Sequence, residues 1–129
     1  PTIIRKAISG EDIPIYGNGK NVRDWLYVLD HVKAINLVNA EASAGEVYNI
    51  GGDAEMQNID LARKICKLLD ELRPKDSGSY SEQITFVKDR AGHDQRYAID
   101  ASKIRSQLNW KAESKFEDAL KKTIIWYLK

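Results

Sequence analysis

Apolar residues recur along the chain at two spacings, and the switches between them mark out the elements. Residues Thr2 to Ser9 read as the last two turns of a helix that Gly10 ends as its C′ residue. Nothing caps its start, so that helix is expected to begin before Pro1. Ile13-Pro14-Ile15-Tyr16 is extended because of Pro14. Gly17-Asn18-Gly19-Lys20 is a turn with glycines where positive φ is needed. Arg23 to Val28 alternates as a short strand does, and Asp30 stands as N-cap of a helix running to about Ala42. In that helix Val32, Ile35 and Val38 recur at helical spacing, widened by Ala34 and Leu37.

Glu46 to Ile50 is a β-type run halted by Gly51-Gly52. Asn58 caps a helix striped with Leu61, Ile65, Leu68, Leu69 and Leu72, which Pro74 terminates. Asp76 to Ser81 is an exposed loop and Ile84 to Val87 a strand. Lys88 to Gln95 is a charged loop, and Arg96 to Ile99 is extended. Asp100 caps a short helix to Leu108. Ser114 and Glu117 form a capping box for a last helix with Phe116, Leu120, Ile124 and Tyr127 on one face. Helices alternating with few, short strands give an α/β class, or an α+β-like fragment of one.

Composition narrows the function classes. The 129 residues carry a net charge of +1 with 43% hydrophobic residues, which excludes disorder. No apolar run exceeds the five residues of Ile124 to Leu128, far below the ~20 of a membrane span. The sequence pI near 8.3 lies under the values expected of nucleic-acid binders. The N-terminus lacks the basic-then-apolar order of a signal peptide. The lone Cys66 cannot form an internal disulfide, and a reducing, cytoplasmic setting is the simplest fit. Its spacing from Ala62 and Leu69 places it in the core. His31 and His93 have no partners at metal-ligand spacing. The chain starts at Pro1, which points to processing or to a piece of something longer.

Candidate chemistry lies with arginines and one aromatic ring. Tyr16 and Lys20 have the spacing of a catalytic Tyr-x-x-x-Lys pair, but Gly17 and Gly19 between them oppose the helix that pair needs. Gly51-Gly52 lacks the third glycine of a dinucleotide loop. Tyr16, beside the rigid Pro14 strand, can stack on a nucleobase. Arg23 after a turn and Arg90 in the loop with His93 offer two guanidinium forks, the donor set a diphosphate takes.

Read together, the segments resemble a known family. Pro14-Ile15-Tyr16-Gly17, Arg23-Asp24-Trp25-Leu26-Tyr27-Val28, Asp30-His31, Tyr48-Asn49-Ile50-Gly51-Gly52 and Asn58-Ile59-Asp60 are similar, in that order, to the extended short-chain dehydrogenases that modify nucleotide sugars. Asp89 to Asp100, with its Arg-x-Gly-His-Asp-x-Arg-Tyr core, narrows the resemblance to the dTDP-glucose 4,6-dehydratases; Leu108-Asn109-Trp110 and Phe116-Glu117 close it. Leu29 and Ala91 depart from it, standing where the family commonly has an acidic residue and a proline.

The resemblance implies the C-terminal, substrate-binding part of such an enzyme, with pieces that would complete a Rossmann domain. It implies a dTDP-sugar substrate held by Tyr16 on the thymine, Pro14 shaping that pocket, Arg23, Asn58 and Arg90 on the diphosphate, and His93 near the ribose and phosphates. Tyr97 is a further candidate; Asp24, Trp25 and Tyr48 are structural. It implies NAD, an active-site Tyr and Lys, and an Asp-Glu pair, all in an N-terminal half not in this sequence, so these residues alone are expected to be inactive. It implies a homodimer at full length. Residues 1–29 and 58–109 would form the substrate domain, and 30–57 and 110–129 would pack on the absent cofactor domain, exposing apolar surface without it. A UDP-sugar epimerase or decarboxylase, and a stand-alone nucleotide-binding module, are the alternatives.

Overall fold

A computed structural model describes all residues, 1–129. Helix α1 (Thr2–Ser9) ends at Gly10, whose φ of 74° is the left-handed cap. Strand β1 (Ile13–Tyr16) and β2 (Val22–Asp24) precede helix α2 (Val28–Glu41). Strand β3 (Glu55–Gln57) leads into helix α3 (Asn58–Leu72); a 3₁₀ turn at Tyr80–Gln83 leads into β4 (Ile84–Val87). Helices α4 (Ser102–Leu108) and α5 (Phe116–Tyr127) close the chain.

The strands make two small sheets. β1 pairs parallel with β4, setting Pro14 opposite Thr85 and Tyr16 opposite Val87. β2 pairs antiparallel with β3, and Val22 also bridges Arg96. The larger core gathers Ile4, Ile13, Ile15, Ile59, Ile65, Leu69 and Ile124 from α1, β1, α3 and α5. Each such side chain contributes about 1.5–3 kcal/mol when fully buried. A smaller core joins α2 to α4 through Ala34, Ala101, Ile104 and Trp110. Tyr80, at the end of the stretch expected as exposed loop, is buried, with its hydroxyl bonded to the Arg73 carbonyl.

Several local expectations yield to tertiary partners. The strand at Arg23 stops at Asp24, because the Asp24 carboxylate accepts the Gly52 and Ala54 N–H groups and turns the chain. α2 therefore starts at Val28, and Asp30 is not its cap: it is buried within the first turn and accepts the Ser114 N–H at 3.0 Å. The capping box at Ser114 does not form, since Ser114 gives its amide to Asp30 while Glu117 pairs with Lys64. Asp100 still accepts the Ser102 amide, one residue ahead of the formal cap Ala101. Glu46 to Ile50 joins no sheet, having no strand beside it. Of the expected α2 stripe, Ala34, Leu37 and Val38 pack inward, whereas Val32 and Ile35 stay exposed beside Val28 and Leu29.

Candidate functional site

The turn between β1 and β2 builds one wall of a cavity of about 310 Å³ lined by Tyr16, Asn58, Arg90 and His93. Gly19 makes this turn possible. Its φ is +71°, and a Cβ there would lie 2.6 Å from Ile15 Cγ2 and 2.8 Å from Ile59 Cβ. The Gly19 carbonyl accepts the Ile59 N–H and the Asn21 carbonyl the Asn58 N–H, each at 3.0 Å. These backbone bonds cap α3 from the turn. Asn58 is consequently the first helical residue rather than the cap, and its side-chain amide is left to the cavity.

The loop after β4 supplies the opposite wall. The end of β4 is fastened to the turn after β1 by Gly17 N–H to the Val87 carbonyl, and the loop is fastened to β2 by Val22 N–H to the Gln95 carbonyl and Tyr97 N–H to the Val22 carbonyl. His93 stands edge-on to Tyr16, with centroids 6.3 Å apart. Tyr16 stays half exposed, as a ring that receives a flat ligand must.

Arg23 lies behind His93. Its Nη2 donates to His93 Nε2 and to the Asp94 carbonyl, both at 3.0 Å, and Nη1 donates to the Val22 carbonyl at 2.6 Å. The guanidinium carbon sits 4.4 Å above the Tyr97 ring, a cation–π placement. Tyr97 donates its hydroxyl to Asp94, and that bond raises the tyrosine's pKa. Neither Arg23 nor Arg90 takes part in any of the chain's ion pairs. Two guanidinium groups without a paired carboxylate, beside an aromatic ring and an amide, suit an anion with an attached ring. His93 has both ring nitrogens engaged, so it holds no free lone pair to act as a base.

The structure thus brings Tyr16, Arg23, Asn58, Arg90, His93 and Tyr97 together. Pro14, Arg23 and Tyr97 do not line the cavity: Pro14 lies two residues from Tyr16 in the same strand, and Arg23 and Tyr97 lie behind His93. Three residues outside the expected set complete the site. Buried Asn21 bonds the Asp94 carbonyl at 3.2 Å, Asp94 holds Tyr97, and Asp89 accepts from His93 Nδ1 at 2.6 Å. A carboxylate four residues before a histidine was the signal in the sequence for the last of these. Arg96 is bound to Glu55 through two bonds of 2.9 and 2.8 Å, clamping the loop to β3.

A second depression of about 340 Å³, between His31, Asn49 and Asp100, has no guanidinium in its wall. Gly51-Gly52 is closed to a phosphate: the Gly52 N–H is given to Asp24, and a Cβ on Gly52 would lie 2.4 Å from the Trp25 carbonyl oxygen.

The profile of the family described as GDP-mannose 4,6 dehydratase matches residues 1–123. The chain is 55% identical over 128 residues to a dTDP-glucose 4,6-dehydratase of Escherichia coli, covering 99% of this chain and 35% of that protein. It superposes on the crystal structure of a dTDP-glucose 4,6-dehydratase from Bacillus anthracis in complex with NAD, with a TM-score of 0.84 at 40% identity over 99% of this chain and 38% of that one. It also superposes on a UDP-glucose 4-epimerase from Thermotoga maritima with UDP-glucose, with a TM-score of 0.78 at 28% identity over 98% of this chain and 38% of that one. The chain therefore spans about a third of the length of these relatives.

Proposed function

The chain belongs to the family described as GDP-mannose 4,6 dehydratase, and from that premise we propose that it is the nucleotide-sugar-binding part of a dTDP-glucose 4,6-dehydratase. The observation that carries the reading is the cavity in which Tyr16 and Asn58 face Arg90 and His93, with Arg23 fixed behind and no carboxylate paired to either guanidinium. Tyr16 stacks on the base, Arg23, Asn58 and Arg90 bind the diphosphate, and His93 lies against the ribose side. The whole enzyme removes water from dTDP-glucose to give a 4-keto-6-deoxy sugar nucleotide. NAD and the groups that do this chemistry belong to a part of the protein outside these residues, and these residues alone bind without turning over. The protein works in the cytoplasm, as a homodimer at full length.

The division of 1–29 and 58–109 from 30–57 and 110–129 is likewise a proposal for the whole enzyme. The open face of α2 (Val28, Leu29, Val32, Ile35) and the unpaired stretch Glu46 to Ile50 support it as the side that meets the cofactor domain. Within this chain, α5 nevertheless packs on α1 and α3, and α4 on α2.

Titration calorimetry with dTDP and UDP tests the reading. dTDP is expected to bind the full chain more tightly than UDP. Arg23→Ala and Arg90→Ala are each expected to weaken dTDP about tenfold or more, at roughly 1.5–3 kcal/mol for a charge-assisted hydrogen bond. Tighter binding of UDP would replace the substrate by a UDP-sugar, as in the epimerases. Binding unaffected by both substitutions would remove the site.

A further inference from the structure

Asp89 lies outside the cavity wall, yet three observations connect it to the ligand face. Its Oδ1 accepts the His93 Nδ1 hydrogen at 2.6 Å and the Arg90 backbone N–H at 2.9 Å. Its Oδ2 occupies the space left by the missing side chain of Gly17, where a Cβ would approach to 2.8 Å, so the carboxylate sits directly beside the turn that follows Tyr16. His93, with only 7% of its side chain exposed, gives its other nitrogen to Arg23.

The protonation pattern follows from the donors. An ionised carboxylate only accepts hydrogen bonds and a guanidinium only donates them. The imidazole between them must carry hydrogen on Nδ1 and a bare lone pair on Nε2. The opposite tautomer would set an N–H against the Arg23 N–H and a lone pair against the carboxylate. A doubly protonated ring would keep the Asp89 bond and lose the Arg23 bond.

We propose that Asp89 is a positioning residue of the nucleotide site: it selects the Nδ1–H tautomer of His93, and His93 Nε2 in turn fixes the Arg23 guanidinium in its place behind the cavity wall, where its charge acts on the diphosphate. The groups facing this relay are Arg90 on the same loop, Asp94 and Tyr97 beyond Arg23, and Tyr16 from β1. Arg23 is thereby held by a neutral ring and two carbonyls, with no carboxylate paired to it. A carboxylate in the place of His93 would hold the arginine as firmly and cancel that charge. The relay rests on the reading of the cavity as a diphosphate site, but its first step is measurable with no nucleotide present.

Histidine-selective ¹⁵N spectra of the full chain test it, with His31→Gln assigning the two rings. His93 is expected to show a protonated Nδ1 and a bare Nε2, and Asp89→Ala is expected to shift it to the Nε2–H form. Asp89→Ala is also expected to weaken dTDP about tenfold. The double variant with Arg23→Ala should bind no worse than Arg23→Ala alone, since Asp89 acts through that arginine. An Nε2–H tautomer in the unaltered chain, a tautomer indifferent to Asp89→Ala, or additive losses in the double variant would each overturn the relay. An unaltered chain that shows the Nδ1–H ring but binds no dTDP would sink the functional reading and leave the tautomer step standing.

Discussion

Alanine at Gly19 tests the joint that sets Tyr16 against Asn58. Two costs arise there. The first is backbone strain, because φ is +71° and the left-handed region costs an L-residue about 1–2 kcal/mol. The second is steric, since the new methyl would stand 2.6 Å from Ile15 Cγ2 and 2.8 Å from Ile59 Cβ. Both isoleucines are buried, at 3% and 6% exposure, and cannot move aside without disturbing the core. Overpacking of this kind costs about 1–3 kcal/mol. Alanine recovers about 0.4–1 kcal/mol by restricting the unfolded chain, which leaves a net loss of roughly 1–4.5 kcal/mol. Gly10 supplies the control: its φ is +74°, and nothing lies within 4 Å of a Cβ there. Gly10→Ala carries the strain alone and should lose no more than about 1.6 kcal/mol after the same offset. Urea unfolding followed by tryptophan fluorescence separates the two. With a slope of about 2 kcal/mol per M, Gly19→Ala should lower the midpoint by about 0.5–2.2 M and Gly10→Ala by about 0.8 M or less, the difference between them reading the steric cost. Equal shifts in the two variants would refute the steric argument and show that the turn yields.

Two further outcomes follow from the titrating groups. Burial first, and the Asp70 charge second, push the Cys66 thiol up to about 11, so a thiol reagent at pH 8 should label it only at the rate at which the chain opens; immediate stoichiometric labelling would contradict this packing of α3. The Asp89 carboxyl is held below the ordinary carboxylate range, chiefly by the hydrogen bond from His93. A lowered folded value means that its contribution is complete above the ordinary value and is lost as pH falls through the lowered one. Carboxyl ¹³C shifts should therefore show the Asp89 transition below about 3.9, the ordinary aspartate value; a transition at or above it would argue against the His93 contact.

The sequence was legible wherever the deciding interactions lie within a few residues. Gly10 after an apolar helix, the Pro14 strand, the glycine turn and the leucine stripe of α3 all stand where the pattern places them. The cap residues were not legible, because a side chain that can cap a helix can equally serve a distant amide. Asp30 went to Ser114, eighty-four positions away, and Asn58 was displaced by backbone carbonyls of another turn. Glu46 to Ile50 has the composition of a strand, but a strand exists only where another lies beside it.

The site divides in the same way. Residue types and their resemblance to a family marked out Tyr16, Arg23, Asn58, Arg90 and His93 before any fold was known. Their arrangement was not in the spacing. Arg23 and His93 stand seventy positions apart and meet because Val22 pairs with the 95–97 segment and Val87 with Gly17. Asp89 gained its meaning only there, since a carboxylate selects an imidazole tautomer once a guanidinium fixes the ring's other side. The chain alone determined which chemical groups are present and which short turns and stripes form, because those depend on neighbours along the backbone. Tertiary packing decided which groups share one cavity, because hydrogen bonds and charge depend on distance in space.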